Sequence, residues 1–492
     1  MEFPPAKCTP LSILDSSVGN FSATAAVWVY NGPSSLDSTS LQTALIKTLD
    51  VYPQWAGQIR CTKYNPSSGH TTRSRRLEVV YGTSNDPGVE FVVANTAEEV
   101  DSVFPSVEER TSTPTAWNAT SLAALNLLPQ SPALANGDVM GLPALVVQVT
   151  KFACGGIAIA LKSSHPMADA QTLTTFVKDW AEMHRAITQN LPTPAITRHF
   201  VPSDVDNAAA GDIDAESADS NVLRRARELP IHRYDWWASS DDCPEFMLDS
   251  TRIPLYIKAG VDFTYGPPLP WAEWDHTQPI SNYILHFSAA EIFRIWQAAS
   301  VPGQVISRFD ALQAHVWSVL IRAHQPKQGE NFHLNLSLGV RERLVRPLRE
   351  ALGSPIVLAR ATATGESSLA ELAHHLRETV TWFTPIRVSA LLHEMAFDID
   401  ARRMWAGFIG SRNMIVTSWL RLGVYEVDFG AGRPRFVHSV MPALEGIVQV
   451  MEARPRMESG GPWYQDGASV SIMLPNSVWE TFLVDQDLRK FA

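Results

Sequence analysis

PALVVQVTKFACGGIAIALKSSHPMADAQTLTTFVKDWAEMHR, residues 143–185, packs two β-rich runs, a turn and an amphipathic helix into one stretch. Residues 145–152 form a continuous β-rich run, Ala153-Cys154-Gly155-Gly156 is a turn, and Ile157, Ile159 and Leu161 alternate with smaller residues. This predicts a hairpin with a buried return strand. Leu173, Phe176, Val177 and Trp180 then recur at helical spacing, so a helix follows within a few residues of the strand's end. Between strand and helix stands His165-Pro166-Met167-Ala168-Asp169. A neutral imidazole there can take a proton from a hydroxyl or amine. Asp169 is equally a ready helix N-cap, and a lone histidine near a strand end is commonly a hydrogen-bonded structural residue. The spacing alone leaves both readings open.

Outward from this stretch, strand and helix patterns alternate along the chain, an α/β arrangement with no internal repeat. Residues 40–51 read as a helix ending before Pro53. Residues 192–230 turn to Ala, Asp, Ser and Asn, with AAAGDIDAESADS at their centre, as a linker or exposed crossover would. The expected division is therefore 1–191, a crossover at 192–230, and 231–492. Residues 236–279 are rich in Pro and Trp and irregular, and such segments on a folded scaffold often shape binding sites. Beyond them, 282–287 and 334–340 read as extended, 289–299 and 309–324 as helical, 468–474 as a strand and 478–482 as a short helix.

The 492 residues carry 40 Lys+Arg against 51 Asp+Glu, a formal charge of −11, and are 45% apolar. That is enough for a large core, and the acidic balance argues against nucleic acid or an anionic membrane surface as partner. The one dense basic cluster, Arg73, Arg75 and Arg76, reads as a solvated loop face. Cys8, Cys61, Cys154 and Cys243 are widely spaced without a Cys-x-x-Cys pair, and no secretory or membrane-spanning pattern is present, so a cytosolic protein is expected. Several chemistries lack their motif. There is no phosphate loop, and Gly430-Ala431-Gly432 lacks the third glycine of a dinucleotide fingerprint. His393-Glu394 is followed by Phe397 where a zincin helix needs histidine. The vicinal His374 and His375 point about 100° apart on a helix and read as surface residues. No Gly-x-Ser-x-Gly or Ser-x-x-Lys nucleophile motif occurs.

The setting of His165 and Asp169 resembles the core of the BAHD family of CoA-dependent acyltransferases, in which His-x-x-x-Asp follows a strand and a Gly-Gly turn. Leu11 to Asp15 resembles that family's first strand, and LQTALIKTLDVYPQWAGQI, residues 41–59, its Tyr-Pro-x-x-Ala-Gly helix and turn. SRFDALQAHVWSVLIRA, residues 307–323, resembles the helix before a strand bearing Arg-x-Arg, here Arg341 and Arg343. Thr417-Ser418-Trp419 and Asp428-Phe429-Gly430-Ala431-Gly432 stand where the family has Ser-Trp and Asp-Phe-Gly-Trp-Gly. Two departures, Ala431 for tryptophan and Ala170 for glycine, point away from the plant subgroup and towards fungal, trichothecene acetyltransferase-like members.

The resemblance implies two similar α/β domains of the chloramphenicol acetyltransferase type, an interface tunnel, and a C-terminal segment returning to the first domain. It implies His165 as general base, Asp169 in a structural ion pair with Arg341, and Trp419 with Ser418 or Thr417 at the oxyanion. Asp428, Gly430 and Gly432 would organise a loop, and Ser307, Arg308, Arg433 and Arg435 are candidates for CoA phosphates. Acyl-CoA would be co-substrate, with a small secondary metabolite as acceptor, no metal or redox cofactor, and a monomeric protein. Two other readings stay open. A condensation-domain-like protein would take acyl groups from a carrier protein, against which Ser164 stands where that class usually has a second histidine. A non-catalytic scaffold would bind a small molecule without turnover.

Overall fold

Two mixed sheets organise the chain, and each takes one strand from the other half of the sequence. The computed structural model describes residues 6–111, 116–129, 141–258, 261–455 and 461–492. The first large sheet has five strands in the order Phe436–Ser439, Thr24–Tyr30, Ile157–Ser163, Leu145–Lys151, Glu90–Asn95. The second has seven: Ile356–Ala363, Phe332–Gly339, Asn413–Ser418, Ile447–Glu452, Ala468–Pro475, Ile280–Phe287 and Ala116–Asn118. Phe436–Ser439 therefore closes the edge of the first sheet, and Ala116–Asn118 that of the second.

The predicted hairpin is present, with Leu145–Lys151 antiparallel to Ile157–Ser163. Both of its strands read as apolar runs because alternate residues enter different cores. Ile157, Ile159 and Leu161 join the helix-covered cluster with Leu173, Phe176 and Trp180. Ala158 and Ala160 face a second cluster around Phe104 and Phe436. A larger core, built around the Arg308–Ala323 helix and the seven-stranded sheet, holds the second half together.

Three sequence expectations need correction. Leu11 to Asp15 is not the first strand: the strand is Lys7–Pro10, and Ser12 caps the Ile13–Ser17 helix in a box with Asp15. Arg341 and Arg343 lie in a 3₁₀ turn, Arg341–Arg343, beyond the end of the Phe332–Gly339 strand. The Arg73, Arg75 and Arg76 cluster is no solvated face. Arg76 is 1% exposed and pairs with Asp206 at 2.6 Å, Arg73 donates to the carbonyls of Ile213 and Ala215, and Arg75 lies over the Tyr256 ring. The contacts of Arg73 and Arg76 fasten the stretch at 192–230, which contains the short helices Ser203–Asp206 and Ser220–Arg227. His393 holds it from the other side: its Nδ1 meets the Ala210 carbonyl and its Nε2 accepts the Asp219 N–H, so both ring nitrogens are engaged.

Candidate active site

Ile157–Ser163 ends at the junction of the two halves, and Pro166 forces the chain into a single 3₁₀ turn, His165–Met167. Asp169 then caps the Ala170–Thr188 helix, accepting the Thr172 N–H at 2.9 Å. The cap is also one end of an ion pair. Arg341 places Nη1 2.5 Å and Nη2 3.1 Å from the two Asp169 oxygens, a bidentate fit with both residues buried. Arg341 further donates to the carbonyls of Ala351 and Gly353 and to Thr172 Oγ1. The Asp169 carboxylate is thereby engaged by Arg341 and by the helix N-terminus, which fixes the loop that carries His165.

A second loop, 351–355, meets the first from the other half. The Gly353 carbonyl accepts the Asp169 N–H and the Thr172 hydroxyl, and Ala168 forms a parallel bridge with Gly353. Gly353 has φ +110°, and a Cβ there would stand 2.7 Å from Asp15 Oδ1, so this position requires glycine. The next residue, Ser354, donates its N–H to Asp15 at 2.6 Å and brings its hydroxyl to 2.9 Å from His165 Nδ1. Asp15 is in turn held by the Ser12 hydroxyl and N–H. Burial pushes the Asp15 carboxyl up to about 6, against the pull of these hydrogen bonds. Sequence reasoning did not find Ser354. Only its small-residue turn, Gly353-Ser354-Pro355, hinted at a special backbone.

With Nδ1 engaged, the rest of the His165 ring lies at the wall of a cavity of about 700 Å³ between the two sheets. Phe21 meets the imidazole edge to face, with centroids 5.1 Å apart. Burial lowers the imidazole from 6.5 to about 4, outweighing the opposing Asp169 charge, so His165 is a neutral base at physiological pH. From the second sheet, Thr417, Ser418 and Trp419 reach the same cavity. The Trp419 N–H is engaged by the Val450 carbonyl at 2.8 Å, and Ser418 Oγ accepts the Leu420 N–H at 3.3 Å. The Trp419 amide is thus not available to a group bound in the cavity.

Asp428 lies away from the cavity and shapes a loop. Its Oδ1 accepts the N–H groups of Gly430 and Gly432 at 2.7 and 2.8 Å, and both glycines have positive φ. Phe429 is thereby driven into the first core against Trp180, while Ala431 is exposed. The four CoA candidates are not brought together. Ser307 caps its helix with Asp310, and Arg308 lies 3.9 Å over the Tyr464 ring. Arg435 instead pairs with Asp101 and donates to the Phe104 carbonyl, with Arg433 two residues before it. Among the described residues, no group of three or more His, Cys, Asp or Glu side chains is placed to hold a metal ion, and no helix is long and apolar enough to cross a membrane.

Two α/β halves with a cavity between their sheets make up a two-domain architecture. A model of the Transferase family matches residues 4–227 and 293–487, and the chain belongs to this family, the BAHD acyltransferases. Among its relatives, acyltransferase AFT15-1 of Alternaria alternata is 24% identical, over 91% of this chain and 87% of its own. Acyltransferase abl6 of Leptosphaeria maculans is 28% identical, over 97% and 93%. The fold is similar to that of vinorine synthase, at TM-score 0.62 and 20% identity over 98% of this chain and 96% of the other. It is similar also to F. sporotrichioides TRI101 complexed with coenzyme A and T-2, at TM-score 0.64 and 16% identity over 98% of each chain.

Proposed function

We propose that this protein transfers an acyl group from an acyl-CoA thioester to a hydroxyl or amine of a small secondary metabolite. The observation that carries this reading is the neutral His165, with Nδ1 braced by Ser354 and its ring at the wall of the large inter-sheet cavity. If Nδ1 carries the proton and donates to Ser354 Oγ, the Nε2 lone pair is free to act as base. Nε2 takes the proton from the acceptor hydroxyl as its oxygen attacks the thioester carbonyl. The tetrahedral oxyanion takes a hydrogen bond from the Trp419 indole or the Thr417 hydroxyl, with Ser418 beside them. The C–S bond then breaks, the CoA thiolate leaves, and the imidazolium returns the proton to sulfur. Direct transfer needs no nucleophilic enzyme residue, which fits the missing serine-nucleophile motifs. The TRI101 complex with coenzyme A and T-2 shows a protein of this fold with both kinds of ligand, which supports acyl-CoA as co-substrate here.

The test is acceptor-dependent release of free thiol from a panel of acyl-CoAs. Release that falls by about 100-fold or more in a folded His165→Ala protein supports the reading. Transfer from carrier-bound acyl groups with none from acyl-CoA would replace it.

A further inference from the structure

One wall of the cavity that His165 lines is aromatic and apolar, and most of it is made by a part of the chain that the family pattern does not cover. Trp236, Phe246, Met247, Leu269, Trp271 and Trp274 all line the cavity, and all fall between the matched spans 4–227 and 293–487. All but Phe246 form one cluster with Trp405, Phe408 and Ile409, and Phe246 meets the edge of that cluster at the Trp274 ring. The rings brace one another: Trp236 and Trp405 are 5.3 Å apart, Trp271 and Phe408 5.5 Å. Among the described residues the lining contains two charged ones, Asp169 and Arg341, and these neutralise each other in the bidentate pair.

We infer that this wall binds an uncharged, ring-bearing group, carried into the cavity by the acceptor or by the acyl moiety, and that it discriminates against cationic partners. The inference rests on the acyl-transfer reading for its purpose, but not for its geometry. Burying an ammonium or guanidinium group without a counter-charge is strongly unfavourable, and the only carboxylate in the lining among the described residues is already paired. An isolated aromatic box can hold a cation over its ring faces. Here those faces are partly covered by neighbouring rings, and the apolar lining continues through Ile415, Leu444 and Ile447, with uncharged hydroxyls of Thr417, Ser418 and Ser439 beside them. Rigid ring walls of this kind suit a flat or polycyclic apolar body.

Calorimetric titration of the intact protein, without donor, compares 2-naphthylmethanol with agmatine. The neutral ring compound should bind at least tenfold more tightly. Trp271→Ala should weaken it by roughly tenfold or more, as loss of a central aromatic contact does. Phe246, 55% exposed at the cavity wall, can be removed without disturbing the core, so Phe246→Ala should weaken binding several-fold even if Trp271→Ala fails to fold. Two kinetic arms locate the ring. A raised KM in the variants for 2-naphthylmethanol with acetyl-CoA puts it on the acceptor, and a raised KM for cinnamoyl-CoA with glycerol puts it on the acyl group. Equal binding of agmatine, or naphthyl binding unchanged in both variants, overturns the inference. Tight, variant-sensitive naphthyl binding without turnover of any acyl-CoA leaves the wall assignment standing and removes the acyl-transfer reading.

Discussion

His165 and Asp15, linked through Ser354, respond to pH in opposite ways. The imidazole is lowered to about 4, so the acid limb of kcat/KM should fall near pH 4 and not near 6.5, leaving a flat profile from about pH 5.5 to 7.5. The same shift bears on stability. Because the unfolded chain binds this proton more readily, the residue's contribution is present above 6.5 and lost as pH falls towards 4. Asp15, raised to about 6 from 3.8, acts the other way: its contribution is full below 3.8 and lost as pH rises through 6. Asp15→Asn removes that response, so its deficit in melting temperature against the parent should be larger at pH 4 than at pH 8. Ser354→Ala, which leaves the cavity lining intact, should lower kcat by about 10–100-fold with little change in KM, and Ser354→Thr should restore part of it. At this scale the strand-turn-helix pattern placed His165 and Asp169 between strand and helix but left their roles open, and only the family resemblance joined Asp169 to Arg341, the pair the structure contains. Ser354 was not legible, since it lies 189 residues from the histidine it touches and no local spacing encodes that meeting.

Elements were read well wherever their signal is internal. The Ala289–Ala299 and Arg308–Ala323 helices begin at Ser288 and Ser307, each in a capping box with an acid three residues on, and their apolar spacing agrees. The same box at Ser12 and Asp15 was overlooked in favour of a likeness to a strand. The misreading of Arg73, Arg75 and Arg76 has a different cause: the partner of Arg76 is 130 residues away in a stretch whose composition suggests no packing at all. Asp206, which pairs with Arg76 and accepts the Ile13 N–H, is a pin for that stretch. Asp206→Ala leaves a buried guanidinium without its partner and should destabilise the protein by about 3–5 kcal/mol, measured by denaturant unfolding. Replacing both residues by apolar ones of similar size should recover much of the loss.

For the molecule as a whole, the interleaved strands make the two halves one folding unit. Residues 1–230 expressed alone lack the strand Phe436–Ser439, leaving Thr24–Tyr30 as a fully buried-type strand with an open edge. Such a fragment should aggregate, and co-expression with 231–492 should return soluble material, as size-exclusion chromatography would show. The two-domain architecture was legible because alternating strands and helices on either side of a polar crossover allow few arrangements, and the family resemblance selects among them. The exchange of edge strands was only partly so: the return of a C-terminal segment was anticipated, whereas the three residues Ala116–Asn118 are too short to carry a pattern.

That exchange also sets a clock on biosynthesis. Thr24–Tyr30 leaves the ribosome early, but the strand that covers it is made some 400 residues later, roughly 20–80 s at ordinary elongation rates. Throughout that interval the nascent chain presents an apolar, unpaired edge to its surroundings. The yield of active protein in a cell is therefore tied to translation speed and chaperone supply, and slowing elongation between the codons for residues 230 and 436 lengthens the period of risk.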